Sequence, residues 1–156
     1  MNQVISRHNK SILRTSSTSD PEQPQQRKCN CRKKSECPLN GNCQIKSVVY
    51  QATVTRTDNA HQENYVGLTP NTFKVRSYGH TGNFNNNDQR NRTATALSKY
   101  VWDLKDKNIN YDINWSIVTR ANSYSTSTKR CNLCITEKYF IIHKPLMSSL
   151  NNRNIL

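Results

Sequence analysis

Val48-Val49-Tyr50-Gln51-Ala52-Thr53-Val54-Thr55-Arg56 and, beyond a turn-rich loop over residues 57–62, Asn64-Tyr65-Val66-Gly67-Leu68 decide the fold. The first run is β-branched with loose alternation, and the second is a shorter strand. Together they predict a hairpin. Working outward, residues 72–82 predict a short helix with a polar start, and residues 83–91 (NFNNNDQRN) a surface loop. Over residues 95–107, Leu97, Val101 and Leu104 recur at helical spacing, flanked by Tyr100 and Trp102. Residues 111–118 alternate as a third strand. Residues 135–143 form an apolar helix that Pro145 ends. The order β-β-α-α-β-α predicts a small α+β domain over residues 47–145, with a three-stranded antiparallel or mixed sheet flanked by helices. Residues 146–156 are expected to be a C-terminal tail.

The chain has 156 residues, with 23 Lys+Arg against 10 Asp+Glu, a net charge of +13 and 33% hydrophobic residues. That length admits one modest domain with a tail and excludes a second large one. No apolar run is long enough to span a membrane, and the polar N-terminus lacks a signal-peptide core. The chain is therefore expected to be neither secreted nor membrane-bound. Its charge points to a polyanionic partner, nucleic acid before an anionic membrane surface. Residues 1–47 hold nine Lys+Arg and three acids, and residues 48–156 fourteen and seven, so both parts share the excess. Residues 15–26 (TSSTSDPEQPQQ) contain no apolar residue and cannot offset chain entropy by burial. Residues 1–27 are expected to be a disordered basic and polar tail and linker.

Cys29, Cys31, Cys37 and Cys43 form C-x-C-x5-C-x5-C. Without a secretory signal, a disulfide framework is disfavoured, and closely spaced thiolates suit tetrahedral Zn²⁺. Residues 28–46 thus predict a zinc knuckle. Pro38, Gly41 and the asparagines supply its turns. Lys28, Arg32, Lys33 and Lys34 lower thiol pKa values and offer contacts to nucleic acid. Cys131 and Cys134 leave alternatives open: a second or shared metal site, a redox pair, or two small buried residues at a helix start.

Arg76 and His80 are four residues apart, hence on one helical face. Tyr50 and Tyr65 fall on neighbouring strands, and Glu137 on the last helix. A phosphodiester reaction needs a cation for the phosphate, a carboxylate for a metal and a group to deprotonate water. Taken in order, the set resembles the GIY-YIG nuclease family over roughly residues 47–145. Val48-Val49-Tyr50 stands where the family has Gly-Ile-Tyr, with Val48 replacing the glycine. Tyr65-Val66-Gly67 stands for Tyr-Ile-Gly, and Arg76 and His80 for R-x3-H. Glu137 stands for the metal-ligand glutamate. The cysteine knuckle and the block KRCNLCITEKYFII (residues 129–142) look like the C-terminal endonuclease domains of retroelements such as Penelope-like elements. The chain would then be a retroelement-derived fragment without the reverse transcriptase that precedes such domains.

The resemblance implies a DNA endonuclease, a nickase using one Mg²⁺ or Mn²⁺ held by Glu137. It implies Arg76 on the scissile phosphate, Tyr50 taking the proton of the attacking water, and Tyr65 orienting water or phosphate. His80 shares the proton transfer or contacts phosphate, and Gly67 allows close backbone approach. Asn151, Asn152 and Asn154 are candidates for an asparagine that many members carry after the glutamate helix. A DNA substrate points to the nucleus, otherwise the cytoplasm. The competing expectations are a catalytically inactive, zinc-stabilised nucleic-acid-binding remnant and a non-enzymatic zinc-stabilised interaction protein.

Overall fold

The structure, a computed structural model, describes residues 27–92 and 95–152. The expected N-terminal tail, save Arg27, lies outside them. The elements are β1 (Val48–Arg56), β2 (Gln62–Thr69), α1 (Phe73–Asn85), α2 (Ala96–Asp106), β3 (Tyr111–Arg120), α3 (Asn132–His143) and α4 (Ser149–Asn152). The domain is α+β, with an antiparallel sheet in the order β2-β1-β3.

Strand β1 is central because it is apolar on both faces: Val48, Val49, Tyr50, Ala52 and Val54 are all buried. Such a strand needs no strict alternation. Tyr50, Ala52 and Val54 join Tyr65 in one core with Phe73 and Phe84 of α1 and Leu97, Tyr100, Val101 and Leu104 of α2. Val49 and Val66 pack on the opposite face with Leu133 of α3. The sheet is therefore covered on both sides. Val49 pairs with Thr119 but Tyr50 with Ile117, so a bulge in β3 lies directly beside Tyr50.

Helix α1 runs three residues beyond its expected end. Phe73, Ser77, His80 and Phe84 are its buried residues, and this stripe carries the helix through Asn83 to Asn85. Burial of Phe84 outweighs the low helix propensity of asparagine. The expected 83–91 loop shortens to a 3₁₀ turn over Asn87–Gln89 and its surroundings. Helix α2 follows its expected stripe and is capped by Thr95, whose hydroxyl accepts from Ser98 N at 3.1 Å. Helix α3 begins at Asn132, earlier than expected. Its outer face is apolar: Ile135, Tyr139 and Ile142 are exposed.

Residues 146–152, expected in a tail, fold back on β2. Leu150 is buried in the main core. The Asn151 amide accepts from Val66 N at 2.8 Å and donates to Val66 O at 2.9 Å. Ser149 accepts from Asn64 N at 2.9 Å and donates to Glu63 at 2.6 Å. These side chains satisfy backbone groups that an edge strand otherwise leaves open. Among the described residues no helix is long and apolar enough to cross a membrane.

Candidate functional site

Tyr50, Tyr65, Arg76 and His80 come together on the α1 side of the sheet. Tyr50 faces Gly67 across the β1–β2 ladder and Tyr65 faces Ala52, which sets the tyrosine rings 6.4 Å apart. A Cβ at position 67 would meet Tyr50 Oη at 2.5 Å and Tyr65 Cε1 at 2.9 Å, so only glycine fits without displacing the two rings. Arg76 and His80 reach Tyr50 from successive turns of α1. Arg76 Nε donates to the Tyr50 oxygen at 2.8 Å, and Tyr50 Oη lies 2.7 Å from His80 Nε2. With its oxygen already accepting from Arg76, the Tyr50 hydroxyl donates to His80 Nε2. The histidine hydrogen then sits on Nδ1, which is buried without a hydrogen-bond partner among the described residues. An unsatisfied buried group of that kind costs about 1–3 kcal/mol.

Aromatic walls enclose this chain of bonds. Phe73 and Trp115 stand 5.3 and 5.9 Å from the Tyr50 ring, and Trp115 and Phe84 stand 5.5 and 6.0 Å from His80. The sequence reading did not pick out Phe73 or Trp115. Their signal was positional: Trp115 shares the inward face of β3 with Ile113 and Ile117, and Phe73 opens the buried stripe of α1.

Burial sets the charge states. It pushes the Tyr50 phenol up, helped by Tyr65 and opposed by Arg76. It pushes Tyr65 up as well, against the pull of Arg76. Burial and the Arg76 charge bring His80 down to about 3. At neutral pH the chain is a neutral phenol bonded to a neutral imidazole, with Arg76 as its cation.

Glu137, on α3, comes over the sheet end to the same place. It and Arg76 line one cleft of about 430 Å³, bounded by Leu68, Thr69, Asn71 and Gly79. Burial raises the Glu137 carboxyl, while Arg76 and Lys138 pull it down. Residues 50, 65, 76, 80 and 137 are thus one constellation, which their spacing in the chain does not reveal. Glu137 is the one carboxylate among the described residues that line this cleft; a divalent cation held by a single carboxylate keeps water in its other positions.

The cysteine knuckle is the second feature. Cys29, Cys31, Cys37 and Cys43 bring their sulfurs within 4.8 Å of one another. The Cys29–Cys37 and Cys29–Cys43 sulfurs are 3.6 Å apart and Cys31–Cys43 3.7 Å. A tetrahedral ion with bonds of about 2.3 Å sets its sulfurs about 3.8 Å apart, so the cluster fits Zn²⁺. Gly41, at φ +98°, makes the turn that aims its amide at Cys37 Sγ, 3.1 Å away. Burial opposes the Cys37 thiolate. The Gly41 and Leu39 amides with the neighbouring thiols outweigh it and bring the pKa down to about 6. Partial desolvation and the neighbouring Cys29 and Cys43 thiols push Cys31, which is half-buried, up to about 12. Cys131 and Cys134 lie outside this cluster and are joined as a disulfide. As a disulfide the pair is not a second or shared metal site. Cys131 also caps α3, its sulfur accepting from Cys134 N at 3.2 Å.

The knuckle is docked on the helix that carries Arg76 and His80. Phe73 N donates to Ile45 O at 2.9 Å and Lys74 N to Cys43 O at 2.8 Å. The Lys74 ammonium bonds Asn30 Oδ1 at 2.7 Å. Two amides that a helix start leaves unpaired are therefore satisfied by the knuckle, and Thr72 caps a third. Of the expected nucleic-acid contacts, Lys33 is paired with Glu36 at 3.1 Å, and Lys28 lines a hollow with Asn42, Gln44 and Arg120.

No protein-family model, curated protein or solved structure matches the chain.

Proposed function

We propose that the protein is a metal-dependent DNA endonuclease of the GIY-YIG type, nicking phosphodiester bonds at the Arg76–Glu137 cleft. The observation that carries this reading is the Arg76–Tyr50–His80 chain of bonds, with Glu137 across the same cleft. Arg76 pairs with the scissile phosphate and stabilises the charge that grows on it. Glu137 would hold an Mg²⁺ or Mn²⁺ ion, which would supply Lewis-acid stabilisation to the phosphate. Tyr50 has no exposed surface, so it receives the water proton once Arg76 turns to the phosphate and uncovers its oxygen. The Tyr50 proton passes to His80 Nε2, an exchange that the incoming phosphate charge favours over the resting state. Tyr65 orients water or phosphate. The new P–O bond forms as the bond to the 3′ oxygen breaks, and that oxygen takes a proton from solvent water and leaves as a hydroxyl. Zn²⁺ at Cys29, Cys31, Cys37 and Cys43 has a structural role, holding the start of α1. The motif block and knuckle support a retroelement origin, and a DNA substrate would point to the nucleus, otherwise the cytoplasm.

The test is nicking of supercoiled plasmid with Mg²⁺. Glu137→Ala and Arg76→Ala are each expected to reduce it by at least about 10²-fold, the scale of removing one transition-state contact, with an unchanged circular-dichroism spectrum. If both variants nick as well as the parent, the assignment is wrong. Tight DNA binding with no metal-dependent nicking by the parent decides instead for an inactive zinc-stabilised binding module.

A further inference from the structure

We infer that a groove formed by Arg27, Lys28, Lys46 and Arg120 seats the phosphate backbone of the nucleic acid whose scissile bond lies in the Arg76–Glu137 cleft. This rests on the nuclease reading for the scissile bond, but not for the binding itself. Two adjoining hollows, of about 410 and 360 Å³, share Lys46 and Arg120. Arg27 and Lys28 close the first, together with Asn42 and Gln44. Among the described residues no carboxylate lines either hollow. All four cations are exposed, and the ion pairs among the described residues lie elsewhere. Like charges gathered without acids repel one another, and a polyanion relieves that cost while releasing its counterions.

The position of the groove matches the cleft. Arg120 pairs with Val48 on β1, and Val48 pairs with Thr69 on β2. Thr69 lines the Arg76–Glu137 cleft. Groove and cleft therefore border the same end of the sheet, where Thr69 and Arg120 stand two strand spacings, about 10 Å, apart. At about 3.4 Å of axial rise per phosphate along one strand, a backbone in the cleft reaches the groove within about three phosphates. Toward the other end, Arg56 of β1 is paired with Asp58 at 2.5 Å, and Lys107, at the end of α2, with Asp103 at 2.8 Å.

The experiment is fluorescence anisotropy of a short labelled duplex DNA with the full-length, zinc-loaded protein. It is run without added Mg²⁺ over a salt series, with duplex RNA and phosphatidylserine vesicles as parallel arms. The double variant Lys46→Gln/Arg120→Gln is expected to weaken DNA binding about tenfold. It should also flatten the slope of log affinity against log salt by about 1.8, two contacts at about 0.9 each. Arg56→Gln/Lys107→Gln removes the same charge toward the other end of the sheet and is expected to leave the slope at the parental value. An equal loss in the duplex RNA arm assigns the groove to the phosphate backbone common to both, and a loss for DNA alone assigns it to B-form geometry. Equal weakening by the two double variants overturns the proposal. So does loss of zinc from Lys46→Gln/Arg120→Gln, which would make these cations partners of the knuckle, and so does parental binding to vesicles but not to nucleic acid. Plasmid nicking is read separately. A parent that binds through the groove but never nicks overturns the nuclease reading and leaves the groove standing. Unchanged binding in the groove variant, with normal nicking, does the reverse.

Discussion

The cleft and the knuckle are both built from a few polar side chains, but different forces hold them. Tyr50, Tyr65 and His80 sit in an aromatic and aliphatic core, held by burial and by bonds between themselves. Burial drives each of them toward its neutral form. In the knuckle only Cys37 and Cys43 are buried, and no apolar cluster of its own lies beneath them. Its four thiols converge on one site that a cation would complete, and among them the Cys37 thiol is held below its ordinary value. A core residue keeps its place whether or not a ligand is present, whereas a metal loop of this size depends on coordination for its folding energy. The two meet at the start of α1, so loss of one is felt in the other.

The largest expected effect breaks the comparison at that junction. Removing zinc with a chelator, or making Cys43→Ser, is expected to lower the melting temperature by roughly 10 °C, as a loss of a few kcal/mol does in a domain this size. Nicking should fall with it, because Lys74 and Phe73 lose their partners in the knuckle. Metal analysis of purified protein is expected to give one zinc per chain. A protein without zinc that melts like the parent would show that the knuckle is held some other way.

The next effect sharpens the account of the core. His80 has a folded pKa of about 3, against about 6.5 when unfolded. Between these values the unfolded chain binds a proton that the folded chain refuses. Stability is thus lost as pH falls through the window, on the order of 3 kcal/mol by pH 4. Glu137, raised by burial, works in the opposite sense. Urea unfolding from pH 7 to pH 4 measures the slope, which His80→Gln is expected to flatten. An unchanged slope would show that the imidazole is not held neutral by burial.

The smallest effect tests the closest contact in the site. Gly67→Ala is expected to cost about 1–3 kcal/mol, the range for overpacking, as its methyl pushes on the Tyr50 hydroxyl. Nicking should fall while zinc content stays at one per chain. Wild-type nicking by this variant would mean that Tyr50 can shift without consequence.

Much of the fold was legible because apolar periodicity is local. The β-branched run at 48–56 and the Leu97–Val101–Leu104 stripe predicted β1 and α2, and the order of elements followed. The misses had tertiary causes. Phe84 is one apolar residue in an asparagine-rich run, and its burial, not local propensity, extends α1. Asn151 looked like tail until β2 supplied an edge for its amide to pair with.

By itself the sequence determined the chemical inventory: the residue types of the cleft, a four-thiol set with zinc spacing, and an excess of charge shared by both halves. Only the tertiary structure decided how these are used. It turned residues 50, 76 and 80 into a chain of bonds and set Glu137 across the cleft. It separated Cys131 and Cys134 from the zinc set, and it gathered Arg27, Lys28, Lys46 and Arg120 into one groove. Patterning fixes which face of an element is buried. Which side chains from distant segments meet depends on strand order, register and where each helix crosses the sheet.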